Sequence, residues 1–526
     1  MDNTEKKEKE ARIEDVTRHI LSIPRFTREK HDFSTLQTYL RELGNPEKGM
    51  RIYHVAGTNG KGSVTRMLSG FLQEDGRRTG SFYSPHLVRM NERIRVNGEE
   101  IPDGDLVDAF DMTERVRKGK NLPQLTFFEI LFVMALLYFR KAGVTDAVLE
   151  TGLGGRLDAT TAVQADLYII TRLGMDHEAQ LGNSLAEIAG EKAGIITGKS
   201  PLVLHSRSSA PVFDPMQDIP DELISDETNG AGMNCDGPHA DGTKTGMNED
   251  SKAEEEIRAG EVILRKAGEM GCREVADCSG IFVKIHGIGR DGIDFSFSNE
   301  YDSYNRLFLP TKAVYQTENA VTAITAARYI FPEKSREELQ KLVRRTLSRF
   351  CMPGRLEEIA PGIYVDGAHN PSAAGELRKC LDEVFGVADV LQNMPPVSRK
   401  NRDMPQKMPA ELRKTALIFA ASSDKSYPEV LRILQSYPWE RVILTKYQSS
   451  RAESPEVLRT AWEELMSGNG RGMNNLSPEI ENGRKSETAE VLTAESLREA
   501  IRLAGDRRIL ITGSLYLVGE AEELIK

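Results

Sequence analysis

Cysteine is scarce in this sequence: five in 526 residues, Cys235, Cys272, Cys278, Cys351 and Cys380, with no Cys-x-x-Cys pair among them. That sparsity excludes a disulfide framework and a cysteine-based zinc site, and it fits a reducing compartment. Long apolar runs are missing too. The most apolar stretch, Ile130 to Phe139, is half the length a bilayer-spanning helix needs, so it reads as a buried helix and no membrane partner is expected. Positive charge is in deficit. Lys and Arg number 69 against 80 Asp and Glu, a formal net charge of -11, which removes the attraction a general nucleic-acid coat would need. The opening MDNTEKKEKEARIEDV alternates charges without an apolar centre, so no secretory or transit leader is expected and the protein should stay in the cytoplasm. No internal repeat is evident.

Length is what the chain does have, and it is enough for two or three domains with proper cores. Strand-like runs followed by Gly-rich turns and helical segments recur at Arg51 to Ala56, Asp146 to Glu150 and Asp166 to Thr171. Such βα alternation implies an α/β fold with a parallel-rich sheet covered by helices. A second set follows from about Phe350, with strands at Gly362 to Asp366, Ala416 to Ala421, Arg441 to Thr445 and Arg508 to Thr512. The expected boundaries are therefore an N-terminal α/β domain over 1–349 and a second α/β domain over 350–526. Three segments interrupt the pattern: about 206–252, 390–409 and 467–487 are rich in Gly, Asn, Pro, Ser or charge. The first reads as a disordered insertion and the others as loop insertions.

The sharpest local signal is His54-Val55-Ala56-Gly57-Thr58-Asn59-Gly60-Lys61-Gly62-Ser63, between a strand and a helix. Small residues let backbone N–H groups approach phosphate oxygens, a helix N-terminus favours anions, Lys61 offers charge, and Ser63 or Thr65 a hydroxyl. The spacing departs from the standard phosphate loop, because Gly62 separates Lys61 from Ser63; a plain glycine turn is the alternative. Two further strand ends carry Glu150 and, a few residues past Thr171, Asp176-His177. Ligands of open parallel sheets bind beyond the carboxyl ends of strands, so Lys61, Glu150 and His177 could converge there around Mg²⁺.

Taken together, HVAGTNGKGSV, SPHLVRMNERI, LTFFE, LETGLGGRLDAT, GMDH, EKAGI, MPGRLE, DGAHNP and GSLYLVGE resemble the folylpolyglutamate synthases and dihydrofolate synthases, relatives of the Mur ligases. The resemblance runs from about Thr35 to the C-terminus. It implies a P-loop ATPase domain, a Rossmann-like second domain, and ATP and substrate between them. By motif, Gly57, Thr58, Asn59, Gly60, Lys61, Gly62 and Ser63 would hold phosphates, and Ser84, Glu150 and His177 would ligate Mg²⁺, two ions in all. Lys192 matches a lysine that is carbamylated in the family. Gln316 and Asn319 would lie near the nucleotide, Arg355 would reach a phosphate, and Asp366 and His369 would meet the nucleotide. A helix cap at Asn370-Pro371 is the plainer reading of that last motif. Thr161 and Glu178 depart from the family's common Asn and Thr.

The implied reaction joins the amine of L-glutamate to the γ-carboxylate of tetrahydrofolate or folylpolyglutamate through an acyl phosphate, with dihydropteroate as a further acceptor. Lys61, Lys192, His177 and Arg355 are the expected catalytic group. Asn91 to Ile94 and Leu125 to Glu129 would border the pterin or glutamate chain, although Phe127 and Phe128 also suit core packing. Other readings are a different Mur-type amino-acid ligase or a nucleotide-binding switch. A monomer is expected, since no coiled-coil pattern stands out.

Overall fold

The computed structural model describes residues 3–24, 33–206, 247–289, 291–385, 415–467 and 489–526. The expected insertions therefore fall almost wholly outside the described residues. At their edges, Ser206 is buried, Met247 opens the helix Met247–Met270, and Ser467 ends the helix Pro455–Ser467.

Two compact units make up the chain. The first comprises Met1–Ser206, Ala259–Cys278 and Glu318–Met352; the second comprises Arg207–Arg258, Ser279–Thr317 and Pro353–Lys526. In the first unit the strands are β1 (Arg51–Ala56), β2 (Thr79–Phe82), β3 (Ile94–Val96), β4 (Glu99–Glu100), β5 (Asp146–Glu150), β6 (Leu167–Ile170), β7 (Leu202–Leu204) and β8 (Val275–Asp277). They form one sheet in the order β4-β3-β2-β5-β1-β6-β7-β8. All neighbours pair in parallel except β2 with β3 and β3 with β4. Every residue of β5 and β6 is buried, the continuous pattern of strands covered on both faces. Neighbours β5, β1 and β6 run the same way, so Glu150, Gly57 and Thr171 all emerge at one end of the sheet.

The apolar stretch expected to be a buried helix is one. Phe127–Lys141 is helical, and from Ile130 to Phe139 only Tyr138 escapes full burial. Its start is set by a capping box: Glu129 accepts the Thr126 N–H at 2.8 Å while Thr126 accepts the Glu129 N–H.

The second unit contains β9 (Phe282–Ile288), β10 (Ile293–Ser298) and β11 (Ser303–Leu309), an antiparallel three-stranded sheet. Its other sheet holds β12 (Glu357–Ala360), β13 (Ile363–Val365), β14 (Thr415–Phe419), β15 (Arg441–Leu444), β16 (Glu490–Thr493) and β17 (Arg508–Thr512), in the order β12-β13-β17-β14-β15-β16. Only β12 is antiparallel. Since β13 and β17 are parallel neighbours, Asp366-Gly367-Ala368 and Gly513-Ser514 leave the sheet side by side, joined by a Gly513 N–H to Ala368 carbonyl bond of 3.1 Å.

Candidate active site

The glycine loop after β1 leads into the helix Lys61–Glu74, as its composition predicts. Two of its glycines have no substitute. Gly57 sits at φ 146°, where a Cβ would lie 1.9 Å from the Thr171 hydroxyl, and Gly60 at φ 87°, where one would lie 2.2 Å from Asn319 Oδ1. Asn319 is thus packed on the loop. The Thr58 and Asn59 N–H groups donate to the Arg172 carbonyl, at 3.0 and 3.2 Å, and so hold the loop. The first turn of the helix also presents N–H groups to an anion. There the N–H groups of Lys61, Gly62 and Ser63 precede the first intrahelical bond, from Val64 N–H to the Gly60 carbonyl.

Lys61 folds back over this loop, its Nζ 3.1 Å from both the Gly57 and Thr58 carbonyl oxygens. Lys192 approaches the same Gly57 carbonyl from the other side, at 2.7 Å. Absent the family motif, Lys192 would read as a surface lysine in the last turn of the helix Leu185–Ala193. It is only 4 % exposed. Burial, reinforced by the Lys61 charge, lowers its pKa to about 7.

Glu150 ends β5 with its carboxylate against the same helix start: a Cβ on Gly62 would be 3.4 Å from Oε2. That oxygen also accepts the Ser84 N–H at 3.2 Å, which brings two of the three expected metal ligands together. Beside them the Thr151 hydroxyl is buried without a hydrogen-bond partner among the described residues. Carboxylate and hydroxyl oxygens beside a helix N-terminus are the donor set Mg²⁺ prefers, so these residues fit that ion. His177 adopts φ 55° at the head of the short helix Glu178–Leu181, with Nε2 3.9 Å from Asp176. Among the described residues no group of three or more His, Cys, Asp and Glu is gathered as a metal cluster.

In the second unit, Arg355 Nη1 donates to the Gly354 carbonyl at 3.0 Å and lies against Gly367. Asp366 is buried; burial holds its carboxyl above the usual range although Arg355 pulls it down. His369 Nδ1 lies 2.8 Å from the Gly367 carbonyl. Asn370 caps the helix Pro371–Val384 through the Ala373 N–H, so the plainer reading of that residue holds.

Comparison with known proteins bears on this geometry. No protein-family model matches the chain. The dihydrofolate synthetase of Saccharomyces cerevisiae is 31% identical over 366 residues, 67% of this chain and 72% of that protein. A probable bifunctional folylpolyglutamate synthase/dihydropteroate synthase of Haloferax volcanii is 29% identical over 497 residues. Those cover 93% of this chain but 47% of the relative, so the chain spans about half of that protein's length. Among solved structures, Mycobacterium tuberculosis folylpolyglutamate synthase complexed with ADP and AMPPCP superposes with a TM-score of 0.72 at 25% identity, covering 98% of this chain and 99% of that one. The chain belongs to the folylpolyglutamate synthase/dihydrofolate synthase family.

In this family member several motif residues turn out to build the site from behind. Asp158 takes four donors: the Gly152 and Leu153 N–H groups on Oδ2, and the Thr160 N–H and hydroxyl on Oδ1. Thr160 Oγ1 is also 2.7 Å from Nε2 of His54, whose pKa burial lowers to about 3. With the hydroxyl proton on Asp158, the neutral imidazole must carry its hydrogen on Nε2. This network ties the phosphate-loop strand to the segment after Glu150. Thr161, at the position where Asn is common, donates its hydroxyl to the Gly155 carbonyl at 2.7 Å and so supplies a bond there itself. Gly155 in turn packs on the Lys192 and Glu191 carbonyls, 2.7 and 2.9 Å from where its Cβ would be. Glu92 spends its carboxylate on the Leu87, Val88 and Arg89 N–H groups. It shapes the Ser84 loop, a role that its motif alone does not reveal. Phe127 is core, under the Arg93 guanidinium, whereas Phe128 is half-buried against Gly152.

Proposed function

We propose that this protein uses ATP to activate a folate carboxylate and joins L-glutamate to it, with tetrahydrofolate or its polyglutamates as acceptor and dihydropteroate as a second one. The observation that carries the reading is the meeting of Lys61, Lys192 and the Gly57 carbonyl at a phosphate-type helix start, with Glu150 against Gly62. A switch protein needs a nucleotide loop but has no use for a buried amine of depressed basicity beside it.

A carboxylate resists attack by an amine until it is phosphorylated. In this reading the helix start at Lys61–Ser63 and the Lys61 ammonium hold the ATP phosphates, with Asn319 fixing the loop at Gly60. Arg355 neutralises charge on the transferring phosphoryl group, and His369 borders the nucleotide. Mg²⁺ held by Glu150, Ser84 and His177 would screen phosphate charge when bound. Lys192, about half neutral near pH 7, is suited to add CO₂ as a carbamate with loss of a proton, turning a buried amine into a carboxylate-like group.

The test is ADP release by the purified protein with MgATP and L-glutamate, comparing tetrahydrofolate, dihydropteroate and no acceptor, with products weighed by mass spectrometry. Turnover with both acceptors is expected. Glutamate-dependent ADP release with neither folate acceptor would move another Mur-type amino-acid ligase ahead of this reading.

A further inference from the structure

The segment after β6 and the helix Gln316–Ile330 grip the glycine loop from two sides. Thr171 gives its hydroxyl to the Asn59 carbonyl at 2.7 Å, the Arg172 carbonyl takes the Thr58 and Asn59 N–H groups, and the Gly174 carbonyl takes the Thr58 hydroxyl at 2.9 Å. From the helix, Asn319 stands against Gly60. Arg172 and Glu318, the neighbour of Asn319, join the two: Nη1 lies 3.3 Å from Oε2, with the side chains 15 % and 10 % exposed. At that burial the charges attract more strongly than an exposed pair does. Glu318 is held in turn by its own helix and by the end of β7. Thr322 gives its hydroxyl proton to the Glu318 carbonyl at 3.1 Å, so His205 Nδ1, 3.1 Å from the same hydroxyl, must donate to it. That places His205 Nε2 3.9 Å from Glu318 Oε2. A carboxylate in the first turn of a helix also suits the helix dipole.

We propose that Arg172 and Glu318 form a strut that sets the glycine loop in its nucleotide-binding shape, so that both are positioning residues for ATP. The path is a closed one. Gly60 rests on Asn319, Asn319 follows Glu318, Glu318 holds the Arg172 guanidinium, and the Arg172 carbonyl returns to Thr58 and Asn59. A shift of the helix start relative to β6 takes Asn319 off Gly60 and tilts the N–H groups of Lys61, Gly62 and Ser63. Removing either charge breaks the path at the same point. The proposal rests on the reading that this loop takes the ATP phosphates, and it needs no particular acceptor for the activated carboxylate.

Affinity for AMPPCP by calorimetry, KM for ATP and for L-glutamate in turnover with tetrahydrofolate, and thermal melts are measured for Arg172→Met, Glu318→Gln, the double variant and Arg172→Lys. Each single charge removal is expected to weaken AMPPCP binding about 10-fold and to raise KM for ATP in step, with KM for glutamate unmoved. Stability and affinity then part company in the double variant. Removing one partner strands a buried charge, whereas removing both does not, so the double should melt above either single. Its AMPPCP affinity should stay within about 2-fold of theirs, since all three lack the same strut. Arg172→Lys, which keeps a charge, should bind AMPPCP within about 3-fold of wild type. Affinity that recovers along with the melting temperature would overturn the strut, because the singles would then have harmed only the fold. Losses that multiply in the double would overturn it too, by making each residue act on the nucleotide by itself. If Glu318→Gln does not fold, the double variant and Arg172→Lys decide: a double that binds like wild type refutes the strut. Wild-type protein that binds no AMPPCP removes the nucleotide reading and the strut with it, whereas variants that bind as tightly as wild type sink the strut alone.

Discussion

Lys192→Met tests the most consequential number in the site. In the unfolded chain the amine keeps its proton to about 10.5, whereas in the folded protein it loses it near 7. Between those values the unfolded state binds more protons, so stability must rise with pH across that window, and the penalty is fully present below 7. The lowered pKa corresponds to about 5 kcal/mol of destabilisation at pH 6 and about 2 kcal/mol at pH 9. Methionine is of similar length and never charges. Its loss of the bond to the Gly57 carbonyl is a constant that cancels between the two pH values. The stability gap between Lys192→Met and wild type should therefore shift by roughly 3 kcal/mol against the variant from pH 6 to pH 9. Urea denaturation in CO₂-free buffer, followed by far-UV circular dichroism, is the assay. Tryptophan emission would miss the effect, since Trp439 and Trp462 both lie in the second unit and Lys192 in the first. A gap that is the same at both pH values to within about 0.5 kcal/mol would show that Lys192 titrates as an ordinary lysine and refute the reasoning.

Three other outcomes are expected. Wild-type protein in ¹³C-bicarbonate at pH 8 should show a carbamate carbon signal that Lys192→Met lacks; equal spectra would rule out the adduct. Gly57→Ala, whose new methyl would stand 1.9 Å from the Thr171 hydroxyl, should weaken AMPPCP binding at least about tenfold by calorimetry. Thr160→Val leaves Asp158 and His54 each short of a buried partner and should cost about 2–3 kcal/mol in urea denaturation, against less than about 1 for Thr160→Ser. Equal losses in the two Thr160 variants would mean that volume, and not the hydroxyl, is what the site needs.

The strands that carry chemistry were legible because each ends at a glycine turn or a carboxylate: β1 and β5 lie at their expected bounds, Arg51–Ala56 and Asp146–Glu150. Less visible were β3 and the edge strand β4, too short to show a period, and β9 to β11. Of these, β10 does carry a signal, since Ile293, Phe295 and Phe297 alternate with polar residues and are buried, although Ser296 between them is buried too. At the site, residue type located the loop but could not divide its N–H groups, because the Arg172 carbonyl that takes two of them lies far along the chain. The same limit hid the burial of Lys192, since Gly155 packing on its carbonyl is a tertiary fact. Asp158 and Glu92 stood inside recognised motifs, yet much of their work is directed at backbone N–H groups, which leaves no trace in side-chain chemistry.

That division of donors says what a phosphate must do on arrival. The loop is already closed from below: Arg172 holds Thr58 and Asn59, Asn319 packs on Gly60, and Lys192 holds Gly57. Lys61 is held by acceptors that an anion outcompetes, two neutral carbonyls at 3.1 Å. Charge-assisted bonds to phosphate oxygens are shorter and about twice as strong as bonds between neutral groups. An incoming phosphate therefore needs to draw one ammonium away and meet the N–H groups of the first helical turn, without ordering the backbone. As Lys61 leaves, the Gly57 carbonyl keeps Lys192 alone and the repulsion that helps keep that amine neutral falls. The Lys192 amine is therefore at its least basic while the loop awaits its nucleotide.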